Sequence, residues 1–245
     1  MLIGRVQTST GDIVPVRADG DRRIAIEDPY AAFAAGREPA DLPNGEVAGD
    51  LLAASAPVVV VGIAQNGPDH ASPVQAWLKN PRSVVPSGRI VTLRRDAGET
   101  VAEGEIAVVI GRDATGLTEA NAASYVLGLT AVNDLSSPDR ALSDPRNFES
   151  KSGEGYTPIA PWIDTAASLD DAPLTLSIDG EEVAKTDAAA LPASIATCLA
   201  YVARWTTLGP GDVVMTGAPF SQGRVQPGQR VDVTVGGVRL STPTR

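Results

Sequence analysis

Short apolar runs separated by turn-forming residues recur along the chain and predict a strand-rich fold. Over residues 1–27, apolar and polar positions alternate, and the alternation is broken at Thr10-Gly11 and again at the Asp-Gly-Asp of positions 19–21. This pattern predicts a β-meander. Residues 29–36 predict a short helix, and the polar, turn-rich residues 37–49 indicate a linker.

Longer apolar runs occupy the middle of the chain. Residues 56–64 predict a buried strand that leads into a Gly- and Pro-containing loop, and loops at strand ends are common places for function. Residues 106–110 predict another buried strand. Residues 118–134 predict a helix with Thr118 as its N-cap, followed by a strand that ends at Asn133-Asp134.

The C-terminal third again favours strands. Asp179-Gly180 lies between two alternating runs, which indicates a hairpin. Residues 191–208 have helical apolar spacing, and short strands with glycine turns follow them. Contacts along such a chain must be non-local, so we expect an α+β, strand-rich protein with a rolled or sandwiched mixed sheet. We also expect a small β-rich N-terminal domain over residues 1–52 and a larger domain over residues 53–245.

Composition narrows the function more than the fold. The net charge is −10, and no basic cluster exceeds a pair such as Arg22-Arg23, so nucleic acid and anionic membranes are not expected partners. The longest apolar run is too short to cross a bilayer, and the first residues do not resemble a secretion signal. Cys198 is the one cysteine, which fits core packing in a helix and a cytoplasmic location.

Two acids precede the apolar run at residues 106–110, where acids are uncommon. Glu103 and Glu105 are two residues apart, so on a strand they point to the same face. Like charges so close repel each other, and a hard divalent cation with all-oxygen ligands removes the repulsion. Asp134, at the end of a later strand, is the best-placed third ligand. The alternative is that both glutamates lie on the solvent face of an edge strand.

Other candidate residues are individually ambiguous. His70 is the one histidine, so multi-histidine metal sites are excluded, and it lies in a Gly- and Pro-containing loop after a strand. Lys79 and Lys151 each lie beside turn formers, where solvated lysines are common. The turn that begins at Thr216-Gly217 presents N–H groups and a hydroxyl that could hold an anion, or it is simply a turn.

Six segments in order resemble the fumarylacetoacetate hydrolase superfamily. They span roughly residues 56–240 and read VVVVGIAQNGPDH, LKNPRS, EGEIAVVIGR, YVLGLTAVND, KSGEGYTPIAPW and GDVVMTGAP. The resemblance implies a mixed β-roll of the type found in the C-terminal domain of that superfamily, and a homodimer. It also implies that Mg²⁺ or Mn²⁺ is held by Glu103, Glu105 and Asp134, with Ca²⁺ as a substitute in crystals.

The resemblance also implies roles for the remaining candidates. His70 would lie on a mobile lid and activate water, and Lys151 would polarise the substrate. Lys79 and the Thr216-Gly217 turn would lie near the pocket and bind substrate. Members of the superfamily act on 2-oxo and 1,3-dicarbonyl acids, and a metal that chelates such an acid stabilises the enolate that these reactions develop.

These implications yield three alternative functions. The first is a metal-dependent hydrolase that cleaves a C–C bond in an acylpyruvate-like or fumarylacetoacetate-like acid. The second is a decarboxylase or double-bond isomerase that acts on a 2-oxo or 2-hydroxy-dienoic acid at the same site. The third is a divergent member that binds a small acid without catalysis.

Three departures from the family pattern bear on that choice. Pro73 stands where many members have the glutamate that orients the lid histidine. Pro138 and Ala141 stand at or near positions where an arginine and a glutamine are usual, although Arg140 could supply a cation from another angle. Ala218 replaces the second threonine of the usual Thr-Gly-Thr-Pro. They suggest an unusual substrate, or a reaction that does not need the His–Glu pair.

Overall fold

A computed structural model describes residues 1–65 and 74–245, apart from the side chain of Asn44. The strands of the described chain are β1 (Leu2–Gln7), β2 (Ile13–Asp19), β3 (Arg22–Ile26), β4 (Asp41–Glu46), β5 (Asp50–Leu51), β6 (Val60–Ile63), β7 (Ala76–Lys79), β8 (Val84–Pro86), β9 (Val101–Ile110), β10 (Val126–Asn133), β11 (Thr157–Ile159), β12 (Trp162–Asp164), β13 (Pro173–Ile178), β14 (Glu181–Asp187), β15 (Val213–Met215), β16 (Gln222–Arg224), β17 (Arg230–Val235) and β18 (Val238–Pro243). The α-helices are α1 (Pro29–Ala34), α2 (Pro138–Ala141), α3 (Phe148–Lys151) and α4 (Ile195–Trp205), and 3₁₀ turns occupy Pro81–Ser83, Glu119–Tyr125 and Ala188–Ala190.

The described residues form a larger mixed sheet and a smaller antiparallel sheet. The larger sheet has the strand order β4-β3-β2-β1-β12-β10-β9-β15-β6-β7, with four short strands attached along it. The smaller sheet has the order β14-β13-β17-β18. The expected strand-rich fold with a mixed sheet is therefore confirmed. Among the described residues, no helix is long and apolar enough to cross a membrane.

The longest strand, β9, lies between two apolar layers. Ile106 and Val108 on one face belong to the cluster that includes Leu176 of the smaller sheet. Ala107 and Val109 on the other face belong to a second cluster. Because both faces are covered, the run has no polar alternation, as in other fully buried strands. Packing on both faces therefore fixes the position of β9, which includes Glu103 and Glu105.

The N-terminal meander is continuous with the larger sheet. β1 pairs with β12 in antiparallel register, with Leu2 opposite Asp164 and Gly4 opposite Trp162. A Cβ at Gly4 would overlap the Trp162 ring, so glycine permits this approach. The division of the chain at residue 52 stays a prediction.

Two segments differ in local structure from what their composition predicts. The linker over residues 37–49 contains β4, because the edge of β3 accepts it and Arg17 donates two hydrogen bonds to Asp41, at 2.6 and 2.7 Å. The helix expected after Thr118 is a 3₁₀ turn. There the Asn121 side chain accepts from the Thr118 N–H at 2.7 Å and donates to the Gly116 carbonyl at 3.1 Å, and such local bonds compete with an α-helix.

Candidate metal centre and active site

Three carboxylates converge where β9 begins and β10 ends. The strands are antiparallel with Glu105 opposite Val132, and the Asp134 N–H donates to the Glu103 carbonyl at 2.8 Å. One oxygen from each of Glu103, Glu105 and Asp134 can be chosen so that all lie within 4.8 Å of one another. This is the convergence on which the predicted metal site depends. We call these three residues the acidic triad.

Glu105 is a buried acid with no cationic hydrogen-bond partner among the described residues. It is 1% exposed, and the Gly217 N–H donates to its Oε2 at 2.8 Å. Burial raises the pKa of Glu105 well above its usual value, and the nearby charges of Asp134 and Glu103 raise it further. The carboxyl group is therefore held where its ionised form needs a positive charge.

Two lysines hydrogen-bond to the other two carboxylates of the triad, those of Glu103 and Asp134. Lys151 Nζ donates to Glu103 at 2.9 Å and to Asp134 at 2.7 Å. Lys79 Nζ donates to the other oxygen of Asp134 and, at 2.8 Å, to the Tyr156 carbonyl. Both lysines are buried.

The ionisation of these groups follows from burial and from the charges in contact. Burial alone would lower the pKa of Lys151, but the carboxylates of Asp134, Glu103 and Glu105 raise it above its ordinary value. Burial would raise the pKa of Asp134, but Lys151 and Lys79 together lower it. Lys151 and Asp134 are therefore held in their charged forms by each other.

The triad fits a hard divalent cation on charge and donor chemistry. Three carboxylates and two ammonium groups leave a formal charge of −1, and neither lysine hydrogen-bonds to Glu105. All candidate ligand atoms are carboxylate oxygens, the donors that Mg²⁺, Mn²⁺ and Ca²⁺ prefer. A cation beside Glu105 would remove the penalty of burying that acid unpaired.

The turn at Thr216-Gly217 supports the triad. The Thr216 hydroxyl donates to the Ile106 carbonyl at 2.9 Å, and Gln65 Nε2 donates to the Thr216 carbonyl at 2.7 Å. Gly217 has φ of +93°, and a Cβ there would overlap the Gln65 carbonyl oxygen. Glycine therefore lets this turn bring an N–H to Glu105.

A cavity of about 280 Å³ lies beside the triad. Lys151 and Glu103 line it together with Trp77, whose ring centroid is 5.2 Å from Lys151 Nζ. Pro138 and Ala141 line another part of the wall. The cavity thus exposes one ammonium group and one carboxylate of the buried cluster.

The structure separates the predicted site residues into groups. Glu103 and Lys151 line the cavity, whereas Lys79, Thr216 and Gly217 are not among the described residues that do. The polar contacts of these last three residues are with other protein groups. Their predicted role in substrate binding stays a prediction. His70 lies outside the described residues, as does Pro73.

Three further residues at the site were not found from the sequence. Gln65 holds the turn described above and also accepts the Ala193 N–H at 2.9 Å. Ser136 donates to Glu103 Oε1 at 2.8 Å, and its place two residues after Asp134 was an available signal. Trp77 presents an indole N–H that is buried with no partner among the described residues.

Comparison with known proteins assigns the chain to a family. The sequence profile of the fumarylacetoacetate (FAA) hydrolase C-terminal family matches residues 46–242. Protein Rv2993c of Mycobacterium tuberculosis is 30% identical over 204 residues, which cover 78% of this chain and 77% of that protein. The chain therefore belongs to the fumarylacetoacetate hydrolase family, which is a family of enzymes.

Relatives whose names give an activity include isomerases and decarboxylases. The 4-hydroxyphenylacetate degradation bifunctional isomerase/decarboxylase of Salmonella dublin is 39% identical over 140 residues, which cover 56% of this chain and 33% of that protein. The crystal structure of 5-carboxymethyl-2-hydroxymuconate delta-isomerase from Mycobacterium smegmatis matches with a TM-score of 0.87 at 27% identity. That match covers 100% of this chain and 99% of the other.

Proposed function

We propose that this protein is a divalent-metal-dependent enzyme that converts a small 2-oxo acid through its enolate, by double-bond isomerisation or decarboxylation. The observation that carries the proposal is the acidic triad with Lys151 bonded to two of its members beside a cavity. Mg²⁺ or Mn²⁺ would be held by Glu103, Glu105 and Asp134. When bound, the ion would act as a Lewis acid toward the oxygens of a 2-oxo acid.

Lys151 supplies a second fixed positive charge. Lys151 is buried yet lines the cavity, so its ammonium group would bind a substrate oxygen where little bulk water has to reorganise. A positive charge preorganised where negative charge develops is a large contributor to catalysis. The Trp77 ring packs against Lys151 and narrows the positions that its ammonium group can take.

The described wall of the cavity supports decarboxylation, which needs no general base, better than hydrolysis. Decarboxylation breaks a C–C bond, leaves the electron pair on the enolate and needs only a proton at carbon afterwards. Hydrolysis also needs a base that deprotonates water. Among the described residues that line the cavity, Glu103 and Lys151 are the titratable ones, and they bond to each other.

Part of the cavity wall is apolar, which suits a substrate whose distal carboxylate is absent or leaves as CO₂. Pro138 and Ala141 present apolar surface there. Arg140 donates to the Asp96 carbonyl and lies 3.8 Å from Glu149, and it is not among the described residues that line the cavity. A second carboxylate at that end would have no guanidinium partner among these residues.

We propose that Lys79 and the Thr216-Gly217 turn position the acids rather than contact the substrate. Lys79 is 3% exposed, and its ammonium group is bonded to Asp134 and Tyr156. The Gly217 N–H is bonded to Glu105. Such contacts set the orientation of metal ligands and strongly affect metal affinity.

Hydrolysis of a C–C bond is the second candidate, and it depends on His70. If His70 activates water, its substitution by alanine should lower hydrolysis by about 10²–10⁴-fold, the usual contribution of a general base. An enolising reaction should lose far less. We also propose a homodimer in the cytoplasm, which sedimentation velocity and cell fractionation would test.

The decisive experiment assays the purified protein with Mn²⁺ or Mg²⁺ on three substrate types. Oxaloacetate reports decarboxylation, an acylpyruvate reports hydrolysis, and a 2-hydroxy-dienoic acid reports isomerisation. We expect turnover of oxaloacetate or of the 2-hydroxy-dienoic acid. Both a chelator and Glu105→Gln should abolish this turnover. Glu182→Gln, an exposed acid on β14, is the matched control and should be active.

The same experiment separates the alternatives. Turnover of the acylpyruvate alone, lost with His70→Ala, would replace the proposal by the hydrolase. Metal-independent turnover would contradict the role of the triad. Saturable binding of these acids with no turnover on any of them would identify a binding protein instead.

A further inference from the structure

A second cavity, lined by arginine side chains, shares no lining residue with the cavity at the acidic triad. Its volume is about 510 Å³, compared with about 280 Å³ beside the triad. The arginines that line it are Arg82, Arg89, Arg94 and Arg245. We call this cavity with these four residues the arginine pocket.

The charge of the arginine pocket is opposite to that of the chain. The chain has 20 basic and 30 acidic residues, for a net charge of −10. The side chains of the pocket include four guanidinium groups but two carboxylates, those of Asp96 and Glu154. A concave surface of one sign concentrates counter-ions of the other, so this pocket attracts anions to a protein that otherwise repels them.

Two of the four guanidinium groups are free to bind. Arg94 donates to Asp96 at 3.0 and 2.6 Å, and Arg245 Nε donates to Thr92 Oγ1 at 2.9 Å. The side chains of Arg82 and Arg89 make no hydrogen bond or ion pair with any described residue. A guanidinium group offers a planar fork of donors that matches a carboxylate or a phosphate.

The main chain that carries these arginines is already ordered. The Arg82 N–H donates to Asn80 Oδ1 at 3.0 Å, and the Arg94 N–H donates to the Tyr156 hydroxyl at 2.8 Å. The Leu93 N–H donates to the Arg245 carbonyl at 2.9 Å. Binding would thus immobilise side chains but not segments, which lowers its entropic cost.

Apolar side chains complete the wall. Val85 and Leu93 line the pocket with Ile90, which is 55% exposed. Apolar surface beside a few converging polar groups is typical of sites for small organic molecules. A simple inorganic anion would leave that surface in water.

We propose that the arginine pocket binds a small organic anion that carries at least two negative charges on an apolar backbone, as a dicarboxylate or a phosphate ester. Arg82 and Arg89 would make the charge-assisted hydrogen bonds. The apolar side chains would cover the hydrocarbon part. The site is independent of the proposed reaction, because it needs neither a metal nor any member of the acidic triad.

The test is calorimetric titration of metal-free protein with glutarate and, separately, with phenyl phosphate. Metal is removed with chelator, and the chelator, itself an anion, is then dialysed away. We expect saturable binding of at least one probe. Arg82→Gln/Arg89→Gln should weaken it at least about tenfold, since hydrogen bonds between charged groups are lost. Added salt should weaken it as well.

Matched variants make the result specific. Arg22→Gln/Arg204→Gln removes two exposed positive charges elsewhere, and Glu105→Gln alters the triad; neither should change the affinity. Circular dichroism confirms that each variant is folded. A preference for glutarate or for phenyl phosphate identifies the acidic group that the pocket takes.

Three results would overturn the proposal. One is no saturable binding of either probe at millimolar concentrations. Another is an equal loss in both arginine double variants, which would indicate a diffuse charge effect. The third is unchanged probe binding together with dissociation of a dimer in Arg82→Gln/Arg89→Gln, which would make the pocket an interface between copies of this chain.

Discussion

The acidic triad and the arginine pocket hold their charges in contrasting environments. Asp134 and Lys79 are buried and bonded to each other, whereas Arg82 and Arg89 are exposed and bonded to no described residue. Burying a charge is costly unless it is paired, so each contact at the triad constrains the geometry of the next. An exposed charge is solvated and screened, so the arginines are free to respond to a ligand. The difference predicts that the two regions will tolerate substitution very differently.

The largest effect on folding is expected from Lys79→Met. Removing this ammonium group leaves Asp134 buried with one cation fewer, and breaking a buried ion pair from one side typically costs about 3–5 kcal/mol. Urea denaturation of the metal-free protein would measure the loss. A loss below about 1 kcal/mol, in the range of exposed pairs, would contradict the positioning role of Lys79.

Lys151→Met should separate catalysis from metal binding. We expect kcat to fall by about 10²–10³-fold, the range for losing one preorganised group at a developing oxyanion. Metal affinity should rise, because the formal charge of the remaining cluster changes from −1 to −2. The kinetic assay tests the expected fall in kcat, and titration with Mn²⁺ tests the expected rise in metal affinity. A fall in metal affinity would show that Lys151 chiefly orders the triad.

Gly217→Ala should weaken the triad through the backbone. At φ of +93° a side chain is strained, and here it would also overlap the Gln65 carbonyl. We expect a loss of about 1–3 kcal/mol in stability, with weaker metal binding because the N–H on Glu105 is displaced. Gly180→Ala, at φ of +84° in an open hairpin turn, is the control that carries the backbone strain without the overlap. Equal metal affinities in the two variants would argue against the turn as a support for Glu105.

The smallest effect is expected from Arg82→Gln. The side chain is exposed and has no partner in the part of the chain that the structure describes, so the free energy of unfolding should change by less than about 0.5 kcal/mol. Measured in urea beside Lys79→Met, three residues away in the chain, it sharpens the contrast between the two environments. A large loss would mean that Arg82 has a structural role that the described contacts do not contain.

Much of the fold could be predicted from local patterns. The alternating N-terminal runs, the Asp179-Gly180 hairpin and the apolar spacing of α4 each have short-range physical causes, and all are present. Cys198 is buried in α4, as its apolar neighbours indicated, and burial raises the pKa of its thiol to about 12. The 3₁₀ turn at Glu119–Tyr125 and β4 were missed, because each depends on particular side-chain bonds or on an available sheet edge.

At the site, the sequence by itself determined the chemistry of the triad. Two glutamates two residues apart must share a face of a strand, and Asp134 comes at the end of a second apolar strand. Only the tertiary structure decided that β9 and β10 pair in the register that brings the three together. It also decided that Lys79 bonds to Asp134, 55 residues away, and that Arg245 joins Arg82 and Arg89 around one cavity. Sequence spacing specifies which residues share a face, but contacts between distant segments depend on how whole sheets pack.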